Sequence, residues 1–236
     1  MPFTWEREAL LIRSLFLMGL AVLFACGVSY SQESDGHSAH HAKAPPSWNS
    51  GPRRGTNEFG IWGGYSPFSF VLKGTSKDRQ LLLLNLQYAR TLFSTRLLTL
   101  KYTADAVPAA FEFQPTQHYV VDGKVLTNRG GAIFGAGASP IGLQANFGAK
   151  RIQPVVTGSL GFLYFDRQVP IVGSSQFNYT ITVGFGAQVF LRPGRSLTAG
   201  WKYHHLSNNY QAHLNPGIDS GVFYVGLSLF RPKRQE

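Results

Sequence analysis

Residues 178–192 alternate throughout except at Phe190. Tyr179, Ile181, Val183, Phe185, Ala187, Val189 and Leu191 share one parity, and Thr180, Thr182, Gly184, Gly186 and Gln188 share the other. Successive side chains of a strand point to opposite faces, so this run is a strand with one apolar face and one polar or small face. It exceeds both the roughly five or six residues usual in soluble sheets and the ~9–11 that cross a bilayer at a tilt. The pattern recurs at 219–230, with Phe223, Val225, Leu227 and Leu229 set against Ser220, Tyr224, Gly226 and Ser228. It recurs again at 79–92, with Leu82, Leu84, Leu86 and Tyr88 against Asn85, Gln87, Ala89 and Thr91. In all, about eight extended segments follow Asn57, near 58–67, 79–92, 96–105, 131–147, 153–165, 178–192, 196–208 and 219–230.

The links between them alternate in length. Those at 93–95, 148–152 and 193–195 are short, whereas 106–130 and 166–177 are long. Short inner turns and long outer loops are the asymmetry of an outer-membrane barrel, and an even strand number returns both ends to the periplasm. A soluble sandwich would share the composition, with 26 Gly, 18 Phe and 14% charged residues, but would not require this alternation of loops. The expectation is therefore an all-β protein, an eight-stranded antiparallel transmembrane β-barrel of the outer membrane formed by residues 57–236. Eight strands enclose a space that side chains fill, which argues against a pore.

The N-terminus supports export. Arg7 and Arg13 precede an apolar run at 15–28, and Ser29 and Ser31 supply small residues before a cleavage site, so residues 1–31 read as a signal peptide. The apolar run is shorter than the ~20 residues a spanning helix needs. The one cysteine, Cys26, lies within it. Residues 32–56 are polar and lack apolar periodicity, as expected of a flexible periplasmic segment. This segment carries His37, His40 and His41, which could bind a metal but read rather as part of a solvated tail. Removing residues 1–31 leaves the formal charge at +10. A basic exported chain suits anionic partners such as phosphorylated lipid, although ordinary solubility explains the charge equally well. Nucleic acid is not an expected partner.

The candidate chemistry lies in the last two segments. Leu197, Ala199, Trp201 and Tyr203 form the bilayer-facing parity of residues 196–208, and extending it places His205 and Ser207 outside the barrel near its outer rim. His204 takes the inward parity. Asp219 shares the parity of Phe223 and Val225, so it too faces out. Neighbouring strands lie ~4.8 Å apart, which lets Asp219 stand beside His205. A nucleophile, a base and an orienting acid on one surface are the minimum for hydroxyl-based acyl transfer. Polar groups on the apolar face of a barrel cost energy, so their presence calls for a reason. A lipid of the outer leaflet presents its esters at this level.

Here the chain resembles the lipid A 3-O-deacylases of outer membranes, the PagL type. The resemblance rests on His205-Leu206-Ser207-Asn208 followed by Asn215-Pro216-Gly217-Ile218-Asp219-Ser220 and a closing apolar strand. It is looser around Phe59-Gly60-Ile61-Trp62-Gly63-Gly64-Tyr65-Ser66 and Ser139-Pro140-Ile141-Gly142-Leu143. It implies a serine esterase with Ser207 as nucleophile, His205 as general base and Asp219 where the family usually has Glu. Asn208 would help form the oxyanion hole. The implied substrate is lipid A of lipopolysaccharide, met within the outer-membrane bilayer, with no metal or organic cofactor; a homodimer is left open. Each residue also has a plain alternative. Ser207 and Asn208 would suit the start of a polar loop, the histidines an interfacial girdle, and Asp219 a turn. Those readings together describe a non-catalytic small barrel with a structural or adhesive role, and a transferase acting on a second acceptor is a further alternative. His118 and His213 are expected in loops, and Lys73, Lys77, Lys124, Arg129 and Arg167 in outer loops, either meeting lipid A phosphates or standing as ordinary solvated charges.

Overall fold

The computed structural model describes residues 52–230, all within the unit Pro45–Glu236. The signal-peptide assignment (1–31), the three histidines at 37–41 and most of the 32–56 segment lie outside the described residues. Residues 53–56 form a turn tied to the barrel, in which Gly55 N–H donates to Thr91 O at 2.7 Å and Thr91 N–H donates to Thr56 O at 2.9 Å.

The strands are β1 (Asn57–Ser66), β2 (Ser69–Phe70), β3 (Gln80–Ser94), β4 (Leu98–Gln114), β5 (Gln117–Val121), β6 (Lys124–Asn128), β7 (Gly131–Phe147), β8 (Ile152–Val169), β9 (Ser175–Arg192), β10 (Arg195–Ser207) and β11 (Ile218–Phe230). Eight of them form an antiparallel sheet in the order β1-β3-β4-β7-β8-β9-β10-β11, which the β1–β11 pairing closes into a barrel. β2 continues the edge of β1 against the start of β11, pairing Phe70 with Asp219. β5 and β6 form a separate hairpin.

Side-chain direction follows the alternation. Leu84, Leu86, Ile181, Val183, Phe185 and Phe223 are exposed on the outer face, while Asn85, Thr91, Thr180 and Gln188 are buried inside. The lumen is filled chiefly by polar groups, many of them paired with one another. Lys101 Nζ lies 2.6 Å from Glu58 and donates to Gln188 Oε1 at 3.1 Å, and Asn146 Nδ2 donates to the same oxygen at 2.6 Å. Further out, Trp62 Nε1 donates to Asp105 Oδ1 at 3.0 Å, and the Lys202 ammonium sits 3.6 Å from the Trp62 ring centroid. Near the outer mouth Arg79 pairs with Glu112 at 3.5 Å and donates to Gln114.

Two of the expected long links are partly strand. β4 runs on to Gln114, and the remainder of 106–130 carries the β5–β6 hairpin. Pro108 hides the continuation, because it has no N–H to give a ladder. The sheet accommodates it where the β4 register shifts between Val107 and Ala110. Likewise β8 and β9 extend into 166–177 and leave only 170–174 between them. At 17 or 18 residues, β4, β7, β8 and β9 exceed the length a bilayer requires. The surplus rises on the side of the long loops, where β10 ends and β11 begins.

Candidate functional site

β10 and β11 pair antiparallel with His205 directly opposite Asp219. Their outward parity and this register together bring the two side chains into contact. His205 Nδ1 and Asp219 Oδ1 are 2.6 Å apart. With the imidazole proton on Nδ1 facing the carboxylate, Nε2 carries a lone pair on the opposite edge of the ring.

Both residues belong to the outer face yet are buried, His205 to 5% and Asp219 to 0% exposure. Their cover is the loop 71–79, which folds back over β11 instead of rising away from the rim. Thr75 N–H donates to Pro216 O at 2.6 Å and Ser76 N–H to Gly217 O at 3.2 Å. The loop passes so close to the 216–218 segment that a Cβ on Gly74 would stand 2.8 Å from the Gly217 carbonyl carbon. Gly217 itself turns the chain into β11 with φ +62°, a conformation that disfavours a side chain.

The Asp219 carboxylate is fully engaged. Oδ2 accepts from the backbone N–H groups of Leu72 at 2.9 Å, Lys73 at 2.7 Å and Gly74 at 2.7 Å. Oδ1 accepts from Tyr203 Oη at 2.7 Å as well as from His205. These donors hold the carboxylate in place with Oδ1 turned to the imidazole.

Ser207 lies two residues beyond His205 on the same face. Its hydroxyl donates to Asn215 Oδ1 at 3.0 Å and not to the imidazole. Even so, His205 and Ser207 line one groove of about 570 Å3, with Leu160, Tyr179 and Ile181 along its apolar side and Lys73 and Asn215 among its polar lining. A lipid chain laid against the barrel can enter this groove sideways, because Tyr179 and Ile181 belong to the exposed apolar face.

Asn208 falls on the other parity and is fully buried. Its Nδ2 donates to Leu214 O at 2.8 Å, so the carboxamide is committed to holding the 208–217 loop and does not reach the groove as an oxyanion donor would. Asn215 does reach it. Asn215 Oδ1 accepts from the Asn208 backbone N–H at 3.1 Å as well as from Ser207. A backbone N–H can only donate, so this contact fixes which end of the Asn215 amide is oxygen and leaves Nδ2 as a donor beside Ser207. Sequence reasoning missed Asn215, Tyr203 and the 72–74 amides. Tyr203 had a signal in its parity with His205, whereas backbone N–H groups of a loop have none.

The other candidates stand apart. His204 points inward, with Nδ1 2.9 Å from Thr182 Oγ1. His118 contacts Thr127 on the β5–β6 hairpin, and His213 lies 3.5 Å from Asp122. Lys73, Lys77, Lys124, Arg129 and Arg167 are exposed at the outer end.

A model of the lipid A 3-O-deacylase (PagL) family matches residues 85–228, a span that takes in His205, Ser207, Asn215 and Asp219. Among solved structures, the outer membrane enzyme PagL aligns with a TM-score of 0.51 at 17% identity, over 72% of this chain and 97% of that one. Neisserial surface protein A aligns with a TM-score of 0.47 at 11% identity, over 73% and 96%. OprG of Pseudomonas aeruginosa aligns with a TM-score of 0.45 at 13% identity, over 77% and 99%. At such identities the likeness to PagL speaks for the barrel fold. No curated protein sequence matches the chain. From the extent of the family match, the chain belongs to the lipid A 3-O-deacylase (PagL) family.

Proposed function

We propose that this protein is an outer-membrane serine esterase that removes the ester-linked 3-O acyl chain of lipid A. Residues 1–31 would be its export signal, 32–56 a flexible periplasmic segment and 57–236 its barrel. The observation that carries the proposal is the 2.6 Å contact between His205 and Asp219 on the bilayer side of the wall, with Ser207 in the same groove. Nothing in the architecture of a barrel requires a buried imidazole–carboxylate pair on its apolar face.

In this mechanism the ester carbonyl enters above Ser207 with its acyl chain along Leu160 and Ile181. The serine hydroxyl turns from Asn215 towards His205 Nε2, which takes its proton as Oγ bonds to the carbonyl carbon. Oxyanion stabilisation falls to Asn215 Nδ2 in place of Asn208, since Asn215 already touches the nucleophile. The imidazolium, held by Asp219, returns its proton to the departing sugar oxygen. Water, deprotonated by His205, then attacks the acyl-serine ester and releases the fatty acid. All the named residues come from one chain, so a second copy is not needed to complete the site.

Mass spectrometry of lipid A incubated with the refolded protein tests the proposal. The parent should shift lipid A by the mass of one 3-O acyl chain, and Ser207→Ala and His205→Ala should abolish the shift while the barrel still folds. A parent that leaves lipid A intact, or a Ser207→Ala variant as active as the parent, would reject it.

A further inference from the structure

We infer that Tyr203 is a positioning residue which, with the backbone N–H groups of Leu72, Lys73 and Gly74, locks the Asp219 carboxylate in the one rotation that orients His205. The inference rests on the proposed role of His205 as base and adds to it the apparatus that holds its acid in place.

An aspartate on a strand can turn about its side-chain bonds, and a turned carboxylate would let the imidazole swing. Five hydrogen bonds oppose that here, and they divide unequally between the two oxygens. Oδ2 faces three backbone donors at 2.7–2.9 Å. Oδ1 faces Tyr203 and His205 at 2.7 and 2.6 Å. The loop supplying the three donors is itself fixed. It is laddered to β11 through Ser69↔Ser220 and Phe70↔Asp219 and bridged through Ser76↔Ile218. Gly74 permits this closeness, because a Cβ there would meet the backbone of Gly217 and Ile218 at 2.8–2.9 Å. The clasp is therefore preformed and does not await substrate.

Tyr203 completes it from the other side. It sits two residues before His205 on the outer face, where a plain apolar ring would satisfy the bilayer, yet its hydroxyl is aimed at the carboxylate. Its ring lies 5.9 Å from Phe70 and 6.4 Å from His205, nearly parallel to the imidazole at 16°. The phenol thus braces the imidazole by contact and the carboxylate by hydrogen bond. Removing only the hydroxyl leaves the ring contacts intact and frees Oδ1 on one side.

The test compares the full refolded chain with Tyr203→Phe, Asp219→Asn and the double variant, using lipid A vesicles and mass-spectrometric quantitation of released fatty acid. Loss of one charge-assisted hydrogen bond should lower kcat about tenfold with KM nearly unchanged. In the Asp219→Asn background the same substitution should cost less than about twofold, because the carboxylate it steadies is gone. Independently of turnover, the Nδ1-proton resonance of 15N-labelled His205 should move in Tyr203→Phe and vanish in Asp219→Asn. The inference is overturned if Tyr203→Phe costs the same factor in both backgrounds, if KM changes in place of kcat, or if the His205 resonance stays where it is. Should the parent release no fatty acid, the hydrolytic role fails, and the resonance alone decides the positioning role.

Discussion

Asp219→Asn replaces one carboxylate oxygen by an NH2 and leaves the volume almost unchanged, so its effect follows from which oxygen is replaced. Three backbone N–H groups point at Oδ2. An NH2 placed there would confront three donors and forfeit three hydrogen bonds, at roughly 1 kcal/mol each before the cost of stranding the donors. The amide oxygen therefore takes the Oδ2 place, and the NH2 faces His205 Nδ1, which Asp219 Oδ1 approaches to 2.6 Å in the parent. Nδ1 must then accept, and the imidazole proton moves to Nε2, where a base for Ser207 needs a lone pair. A wrong tautomer in a Ser–His–acid system costs about 10⁴-fold in kcat, or about 5.5 kcal/mol in the barrier. Fatty-acid release from lipid A vesicles measures the loss, and the shifted gel mobility of the folded barrel shows that folding is retained. A folded Asp219→Asn variant within about tenfold of the parent would show that His205 does not take its orientation from this carboxylate.

Two further substitutions probe the oxyanion assignment and the lumen. Asn215→Ala should lower kcat by about 10²–10³-fold, the usual cost of one oxyanion donor; Asn208→Ala should act mainly on stability, by about 1–3 kcal/mol through the stranded Leu214 carbonyl, and parallel kinetics and urea unfolding separate the two. In the lumen, Lys101→Met leaves the buried Glu58 without its partner at 2.6 Å and should cost about 3–5 kcal/mol, most of which the added change Glu58→Gln should restore; unfolding midpoints in detergent read both.

What was legible in the sequence was side-chain direction. Period-two alternation fixes which residues share a face, and that was enough to set His205, Ser207 and Asp219 on the outside and His204 within. Adjacency of β10 and β11 followed from the single loop between them. Less legible was anything set by contacts distant along the chain. The strand expected at 96–105 runs on past Pro108 to Gln114, and a lone sequence does not show the register shift that absorbs the proline. The β5–β6 hairpin carried a usable signal, Asp122-Gly123 with φ values of +50° and +72°, the dipeptide of a tight hairpin turn. Asn208 was placed at the site by the family resemblance, yet one step along a strand reverses direction, and its side chain is buried off the groove that Asn215 lines. The cover over Asp219 comes from 147 residues away in the chain, through backbone amides, which carry no side-chain signature in the sequence.

That cover also fits the length of the acid at position 219. A carboxylate reaching its histidine from an adjacent strand must span the separation of two directly opposed Cβ atoms, about 4.5–5.5 Å. With His205 and Asp219 in direct register, an aspartate already closes that gap to a 2.6 Å contact. A glutamate would carry its carboxyl one methylene further, into space that the amides of Leu72, Lys73 and Gly74 now occupy against a fully buried side chain. The length of the acid and the course of the 71–79 loop are thus two sides of one fit. In this chain a loop pressed this closely onto β11 suits the shorter acid. The aspartate therefore loses no reach here, because the backbone of the 71–79 loop holds its carboxylate against His205.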